Sequence, residues 1–153
     1  MNALLLDSQL CFSLYAASRA MTGAYGPLLE PLGLTYPQYL VMLVLWETDR
    51  ASVKAIGARL HLDSGTLTPL LKKLEALGLL KRARDEEDGR VVRASLTRAG
   101  RALQRKAQGV PRAFGCQLGI DLPAVAQLRE KLTALTQTLR AANAASHSKE
   151  DRS

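Results

Sequence analysis

The sequence predicts a mainly α-helical chain that contains one small β-hairpin. Apolar residues recur at steps of three and four along most of its 153 residues, which is the spacing of an amphipathic helix. Two short β-prone stretches, LLKRAR and RVVRASL, flank the polar turn DEEDGR and indicate the hairpin. The length suffices for one domain with a buried core or for one subunit of a compact oligomer.

Two helices are predicted in the first 50 residues. The first runs from about Asp7 to about Ala24 and ends before Pro27, because its apolar positions recur at i, i+4, i+7 and i+11. The second opens at Pro37 and stops near Asp49. Its inward residues are expected to be Leu40, Leu43, Val44 and Trp46.

A short helix and a longer one follow, separated by the tight break HLDSG. Ser52 caps the short helix, which ends at Leu60. The longer helix spans roughly Gly65 to Leu77 and is capped by Asp63 or Ser64. One face carries Leu67, Leu70, Leu71, Leu74 and Leu77, and the other carries Ser64, Thr68, Lys72 and Lys73.

Two more helices are expected after the hairpin. Thr97 caps one that reaches about Val110, and the last starts at Asp121 and ends near Ala142. The last helix repeats apolar residues at alternating steps of three and four, which is a heptad seam: Val125, Leu128, Leu132, Leu135 and Leu139. The small, polar segment 143–153 is expected to be a disordered tail.

Two short helices joined by a tight turn and followed by a hairpin form a winged helix-turn-helix. The second helix can enter a DNA major groove because its leucine face anchors it on the domain. Its polar face then meets base edges and phosphates through Ser64, Thr66, Thr68, Lys72 and Lys73. The alternative is that this face is only the solvated side of a core helix.

Charge supports nucleic-acid binding. The net charge is +7, and residues 51–112 carry 14 basic and 6 acidic side chains, whereas residues 1–50 carry 2 and 4. At the hairpin tip, Arg90 is the candidate for entering the minor groove, and Asp88 is expected to hold the turn or the guanidinium. Without that role, the acidic cluster Asp85 to Asp88 argues against DNA binding, since it repels phosphates.

Several other classes of protein are excluded. Apolar runs are too short for a membrane span, and the start MNALLLDSQL lacks the basic region of a secretory signal, so a cytoplasmic protein is expected. His61 and His147 lack the neighbours of a structural zinc site, and no phosphate-binding glycine loop or serine elbow occurs. We therefore expect no cofactor and no metal.

In a reducing compartment, Cys11 and Cys116 are not expected to form a structural disulfide, but a transient redox pair is permitted.

The middle of the chain resembles the winged-helix core of the multiple-antibiotic-resistance regulator (MarR) family, with its Asp-x-Arg wing and the Leu-Thr-x-x-Gly start of the next helix. The residues that carry this resemblance are SVKAIGARLHLDSGTLTPLLKKLEALGLLKRARDEEDGRVVRASLTRAG. The preceding part resembles the organic-hydroperoxide-sensing, OhrR-like branch of that family, through the stretch LDSQLCFSLYAASRAMTGAYGPLLEPLGLTYPQYLVM. The resemblance implies a single domain over residues 1–142, with DNA-binding part 50–97. Residues 6–48 and 98–142 would form the dimerisation part of a homodimer.

In that branch, an N-terminal cysteine senses the oxidant, and by position it is Cys11. The resemblance implies that Tyr25 and Tyr36 donate hydrogen bonds to the sulfur, and Tyr15 shares a helix face with it. Such donors stabilise the thiolate. In the two-cysteine type, Cys116 of the other subunit would resolve the oxidised sulfur. The alternatives are an inert, packed Cys11 and an unrelated Cys116.

These features predict a DNA-binding transcriptional repressor that leaves a pseudo-palindromic operator when organic hydroperoxide oxidises Cys11. Activation in place of repression stays open, because the sequence does not carry the sign of regulation. Two alternatives stay open: a MarR-type regulator that responds to a small lipophilic or aromatic ligand, and, in a different class, a thiol peroxidase. A third is a protein that coats DNA without sequence preference. The ligand-responsive regulator predicts little change when Cys11 is replaced, and the thiol peroxidase predicts catalytic peroxide consumption.

Overall fold

The structure is a computed structural model that describes residues 4–150, with side chains described for residues 4–145. Seven helices and three short strands occur in this part of the chain, together with 3-10 turns at Leu6–Ser8 and Glu30–Leu32. In chain order they are α1 (Leu10–Leu29), α2 (Tyr36–Glu47), β1 (Ala51–Ser52), α3 (Val53–Leu60), α4 (Ser64–Ala76), β2 (Leu80–Arg84), β3 (Val92–Leu96), α5 (Arg98–Ala107), α6 (Val110–Gln117) and α7 (Leu122–Glu150).

The predicted hairpin is present. Strands β2 and β3 pair antiparallel in a register that runs from Leu80 opposite Leu96 to Arg84 opposite Val92. A third strand, β1, adds to the outer edge of β3, so that the strand order is β1-β3-β2. The sequence did not predict β1 because two residues are too few to show an alternating pattern. The mainly helical fold with a small wing is therefore confirmed.

Helix α2 lies at the centre of the core. Val41, Met42 and Leu45 have no exposed surface, and they pack with buried residues of α3, α4 and the sheet. Of the four residues expected to point inward, Val44 is buried, and Leu43 and Trp46 are half-buried and pack against the core. Leu40 is half-buried. The three residues without exposed surface were not among those expected, because α2 is apolar on nearly all sides, and such a helix has no single face that spacing can identify.

Two helix boundaries differ from those predicted. Helix α1 begins at Leu10, after a 3-10 turn, and continues through Pro27 to Leu29, whose side chain is 1% exposed. Proline removes one hydrogen bond at this position, and burial of the helix end offsets that loss. The segment that contains Cys116 was expected to lie between helices. It forms α6 instead, because Val110 and Phe114, one turn apart, are both buried.

The last helix, α7, extends to Glu150, whereas the sequence predicts its end near Ala142 and a disordered tail over 143–153. Alanines at 141, 142, 144 and 145 favour continuation of the helix, and residues 151–153 lie outside the described part.

The chain divides into two compact units between Gly115 and Cys116, where the sequence predicts one domain. Within α7, the seam residues Leu128, Leu132 and Leu139 are exposed in the single chain.

In residues 4–150, no single helix is both long and apolar enough to cross a membrane. Only helical segments 10–32 and 36–47 taken together, with a bend of 67° between them, reach that length and hydropathy.

Candidate DNA-binding surface and redox residues

The turn between α3 and α4 is set by local contacts. Ser52 caps α3 by accepting a hydrogen bond from the Ala55 amide at 3.1 Å. His61 ends α3 in the left-handed conformation, with φ of 55°, so this histidine is a turn residue. A Cβ on Gly57 would lie 2.9 Å from the Leu62 carbonyl oxygen of the turn and 3.5 Å from a Leu67 methyl carbon of α4, which indicates how closely the turn and α4 pack on α3. The predicted helix-turn-helix is therefore present.

Asp63 caps α4, as expected. Its carboxylate accepts hydrogen bonds from the Thr66 amide at 2.8 Å and from the Thr66 hydroxyl at 3.1 Å. The Thr66 backbone amide and then its hydroxyl lower the pKa of Asp63, since both favour the charged carboxylate. The first turn of α4 is thereby fixed, and the Thr66 hydroxyl is left with its acceptor sites.

Helix α4 presents the predicted polar face outward. Leu67, Leu71 and Leu74 are at most 1% exposed and anchor it on the core. Of the five candidate DNA-contacting residues, Thr68 is half-buried and the others are exposed: Ser64, Thr66, Lys72 and Lys73. A helix held by one face and polar on the other has the arrangement required for insertion into a major groove.

The hairpin tip carries an ion pair that fixes Arg90. Asp88 accepts hydrogen bonds from the Arg90 backbone amide at 3.1 Å, from Nε at 3.1 Å and from a terminal guanidinium nitrogen at 3.4 Å. The Arg90 side chain is nevertheless 92% exposed. The guanidinium of Arg90 and then its backbone amide lower the pKa of Asp88. Asp88 therefore holds both the turn and the guanidinium, which stays accessible.

The acidic cluster beside Arg90 is partly neutralised within the wing. Asp85 pairs with the Arg93 guanidinium and accepts the amides of Glu87 and Asp88, each at 3.1 Å. The Arg93 side chain and then the Asp88 amide lower the pKa of Asp85. Of the four carboxylates in the cluster Asp85 to Asp88, those of Asp85 and Asp88 shape the turn, while Glu86 and Glu87 are exposed. The electrostatic objection to DNA binding is therefore reduced.

Three contacts that the sequence did not predict hold the wing and α5 on the domain. Asp49 accepts hydrogen bonds from the Leu96 amide and from the Arg101 guanidinium, each at 2.8 Å. The Trp46 indole donates to the Gly100 carbonyl at 3.0 Å. A third contact is the ion pair of Glu75 with Arg82, 2.7 Å long. The first two join residues 47 to 54 positions apart, so no local pattern reveals them.

Cys11 lies in the first turn of α1 and is exposed. Tyr15, one turn later, is 59% exposed, and its ring lies 5.6 Å from the guanidinium carbon of Arg19. The structure therefore places Cys11 and Tyr15 at consecutive turns of one helix, as the spacing predicts.

Tyr25 and Tyr36 lie together, with ring centroids 4.8 Å apart, in an aromatic cluster with Tyr39 and Phe114. Burial raises the pKa of Tyr25, Tyr36 and Tyr39, with the neighbouring phenols contributing at Tyr25 and Tyr39. The phenols are therefore neutral hydrogen-bond donors at neutral pH. Tyr39 was not among the predicted residues, although it is 2% exposed and belongs to the cluster.

The structure does not bring these phenols to Cys11 within one chain. Cys11 and Tyr25 belong to the same helix. Their separation of 14 residues corresponds to about 21 Å at the rise of an α-helix. Cys116, the second predicted redox residue, is exposed on α6.

Comparison with known proteins identifies the family. The protein family described as "Transcriptional regulator SarA/Rot" matches residues 24–106. The organic hydroperoxide resistance transcriptional regulator of Bacillus subtilis is 50% identical over 141 residues, which cover 90% of this chain and 94% of the relative. The regulator TtmR of Methylorubrum extorquens is 52% identical over 136 residues, or 89% of this chain and 70% of the relative.

A solved structure has the same fold. Reduced AbfR bound to DNA is 38% identical to this chain and superposes with a TM-score of 0.76, covering 88% of this chain and 92% of AbfR. AbfR comes from Staphylococcus epidermidis. Another structure of AbfR is of a disulfide-formed state, with 39% identity, a TM-score of 0.59 and coverage of 88% and 90%. The chain therefore belongs to the MarR-type, SarA/Rot-related family of winged-helix transcriptional regulators.

Proposed function

We propose that this protein is a cytoplasmic, homodimeric DNA-binding regulator that leaves its operator when organic hydroperoxide oxidises Cys11. The observation that carries this proposal is the 50% identity, over 94% of the relative, with an organic hydroperoxide resistance transcriptional regulator. The alternative of a thiol peroxidase is disfavoured because the relatives are transcriptional regulators.

The DNA-binding role is assigned to α4 and the wing. Lys72 and Lys73 are exposed on α4, and Arg90 projects from the hairpin. Lysine and arginine on these two elements would neutralise phosphates on either side of one groove. Because a single α4 reads only a half-site, two copies related by a two-fold axis would read a pseudo-palindrome. The exposed leucines of α7 support such a dimer.

The thiolate-stabilising role of the tyrosines requires the dimer as well. Because about 21 Å of helix separates Cys11 from Tyr25 in one chain, a hydrogen bond from Tyr25 to the sulfur has to come from a second copy. Tyr25 and Tyr36 are adjacent and neutral, so they would act as paired donors. Tyr15 remains a candidate within the same chain because it is one turn from Cys11.

Oxidation would proceed in two balanced steps. The Cys11 thiolate attacks the hydroperoxide, so that the O–O bond breaks, an S–O bond forms, and the alcohol leaves after taking a proton. The sulfur is oxidised to a sulfenic acid and the hydroperoxide is reduced. The Cys116 thiol of a second copy then displaces the hydroxyl, which leaves as water while a disulfide forms. A coupling of about 3 kcal/mol between this bond and the DNA-binding geometry would weaken DNA binding about 150-fold.

Gel-shift titration on a palindromic operator tests this function, using reduced, hydroperoxide-treated and re-reduced protein. We expect treatment to weaken binding about 150-fold and to produce a covalent dimer on non-reducing gels, with both effects reversed by a thiol reductant. Cys11→Ser should bind DNA normally and ignore the hydroperoxide. Cys116→Ser should still be oxidised at Cys11 but form no covalent dimer. A Cys11→Ser protein that still responds would instead support regulation by a small ligand.

A further inference from the structure

Arg93 joins the ends of the two outer strands of the sheet. It lies in the central strand β3, opposite Ser52 of β1 on one side and opposite Ala83 of β2 on the other. Its Nε donates to the carboxylate of Asp85, which follows β2. Its Nη1 donates to the carbonyl of Arg50, which precedes β1, at 3.2 Å. A single guanidinium therefore connects the wing to the turn that follows α2, and we call these two contacts the wing brace.

The wing brace lies on the outer face of the sheet. Ala94 and Leu96 of β3 are buried, and successive side chains of a strand point to opposite faces, so Arg93 points away from the core. Its side chain is 40% exposed, and that of Asp85 is only 15% exposed. Because this ion pair is partly buried, its attraction is screened less than that of the solvated pair at the hairpin tip.

The acceptor on the domain side is held in place by the turn itself. Arg50 has a φ of 62°, in the left-handed region that few residues other than glycine adopt. The Asp49 carboxylate fixes this turn by accepting the amides of Arg50 and Leu96, each at 2.8 Å. Such a backbone conformation persists only where its surroundings impose it. The Arg50 carbonyl is therefore a fixed point against which Arg93 holds the wing.

On the wing side, Asp85 continues the connection to the hairpin tip. Its Oδ2 accepts from Arg93, while its Oδ1 accepts the Asp88 amide at 3.1 Å. Its own amide donates to the Val91 carbonyl at 2.8 Å. Asp88 in turn holds the Arg90 guanidinium. The two oxygens of one carboxylate thus couple the arginine of β3 to the turn that carries Arg90.

Resting on the proposed role of Arg90 in DNA binding, we propose that Arg93 is a positioning residue that fixes which base pairs Arg90 reaches relative to those under α4. The minor groove shows few differences between base pairs, but its width and potential depend on the sequence. A guanidinium senses that dependence at a defined position only if the hairpin that carries it is held in one direction. Arg93 therefore acts on sequence preference through Arg90 and not by contacting the duplex.

Replacement of Arg93 by lysine separates the wing brace from its charge. Lysine keeps the positive charge, but one ammonium cannot reproduce a guanidinium whose Nε and Nη1 donate in different directions. We expect Arg93→Lys to weaken operator binding by the reduced, full-length protein about fivefold, which is the usual cost of leaving a long side chain unrestrained before binding. The salt dependence of binding should not change, because no charge is lost. Fluorescence anisotropy at several salt concentrations measures both.

Arg84→Lys is the matched control within the wing. The Arg84 guanidinium donates to the Gly89 carbonyl at 2.8 Å, a contact inside the hairpin that one ammonium can replace. This variant carries the same substitution on the neighbouring strand and leaves the wing brace intact. Its operator affinity should therefore stay within about twofold of that of the unaltered protein.

The Arg90→Ala background tests whether Arg93 acts through Arg90. In that background, Arg93→Lys should weaken binding by less than about twofold, because the side chain that it positions is gone. Replacing each A·T pair of the operator by G·C in turn measures sequence preference. Arg93→Lys should lose preference at the pairs where Arg90→Ala also loses it, and keep it at the pairs under α4. Urea denaturation establishes that each variant is folded.

The outcomes separate the wing brace from the role of Arg90 on which it rests. Unchanged affinity and sequence preference in folded Arg93→Lys overturn the wing brace and leave the role of Arg90 intact. A fivefold loss that persists in the Arg90→Ala background also overturns it, since Arg93 would then act independently of Arg90. An equal loss in Arg84→Lys overturns it too, because general weakening of the hairpin would suffice. If Arg90→Ala binds the operator like the unaltered protein, the proposed minor-groove contact is wrong, and the wing brace with it.

Discussion

Arg90 combines nearly complete exposure with a fixed direction. Its ion pair with Asp88 contributes little to folding stability, because both groups are solvated and surface ion pairs are weak. The pair does restrict the guanidinium to the outer end of the hairpin. A guanidinium directed in advance would lose less conformational freedom on entering a narrow minor groove, where the negative potential is enhanced.

Replacement of Arg90 by alanine is therefore expected to weaken operator binding about tenfold, or about 1.4 kcal/mol, and to reduce the salt dependence of binding by about one counterion. Arg140→Ala is the charge-matched control, since Arg140 is exposed on α7 rather than on α4 or the wing. Fluorescence anisotropy at several salt concentrations provides the measurement. Equal losses in the two variants would mean that only net charge matters.

The residues that sequence analysis located correctly interact with close neighbours in the chain. Asp88 and Arg90 are two positions apart, and Asp63 caps the helix that begins at the next residue. Asp49 was missed because its partners Leu96 and Arg101 are distant in sequence. The tyrosines came from family resemblance, and the stack of Tyr25 on Phe114 required the three-dimensional fold.

Helix α5 meets the start of β2 at Gly100. A Cβ added there would lie 2.0 Å from the Leu79 carbonyl oxygen, and the Gly100 carbonyl accepts the Trp46 indole hydrogen bond. Because backbone and not a flexible side chain would be in the way, the helix would have to shift. The small residue is thus required by contact between elements, not by backbone conformation.

Gly100→Ala is therefore expected to lower the free energy of unfolding by about 2 to 4 kcal/mol, although alanine favours helices more than glycine does. The Trp46 fluorescence should change as its hydrogen bond is displaced. Gly109→Ala is the control, because a Cβ at Gly109 meets nothing within 4 Å. Urea denaturation monitored by tryptophan fluorescence measures both, and comparable stability of the two variants would contradict the steric argument.

Carboxylates tie the wing to α4 and shape its tip, which makes the wing sensitive to acid. The Arg82 side chain and then its amide lower the pKa of Glu75, and the pKa values of Asp85 and Asp88 are lowered as well. A group with a lowered folded-state pKa stabilises the fold above its unfolded pKa, near 4, and that contribution is lost as the pH falls through the folded-state pKa.

The urea midpoint should therefore vary little on account of these groups between about pH 6 and 8 and fall steeply below about pH 4. Asp85→Asn should lower the urea midpoint at neutral pH, because the side chain that pairs with Arg93 is then uncharged. It should also make the fall of the midpoint at acid pH less steep. Glu30→Gln, a carboxyl-to-amide change outside the wing, is the matched control. A midpoint that rises between pH 5 and pH 3 would contradict the linkage.

Elements with one strong local signal were predicted well, and those without it were not. Capping residues and leucine spacing located α3 and α4 to within a residue or two. Pro27 did not end α1, because packing of the helix end outweighs a lost hydrogen bond. Helix α6 was missed because Gly115 and Gly119 suggest a loop, whereas burial of Val110 and Phe114 maintains the helix.

The whole molecule requires a second copy to be complete. Exposed apolar side chains concentrate in residues 4–10 and in α7, which together carry Leu4, Leu5, Leu6, Leu10, Leu122, Leu128, Leu132 and Leu139. Apolar surface on this scale is costly in water, so it marks an interface. The heptad seam was readable from sequence, but whether it packs within the chain or between chains depends on what covers it.

Dimerisation and operator binding should therefore fail together when the seam is charged. Leu128→Lys places an ammonium group in the seam and is expected to shift the protein to a monomer in sedimentation equilibrium. Two monomers then bind the two half-sites independently. Operator affinity should fall at least about 100-fold, because the second winged helix is no longer held at a high effective concentration near its half-site. Gln137→Lys adds the same charge on the opposite side of α7 and should remain dimeric. If Leu128→Lys bound the full operator as a dimer, α7 would not hold the two DNA-binding heads together. The proposed two-fold arrangement, in which Tyr25 would meet Cys11 of another copy, would then need a different interface.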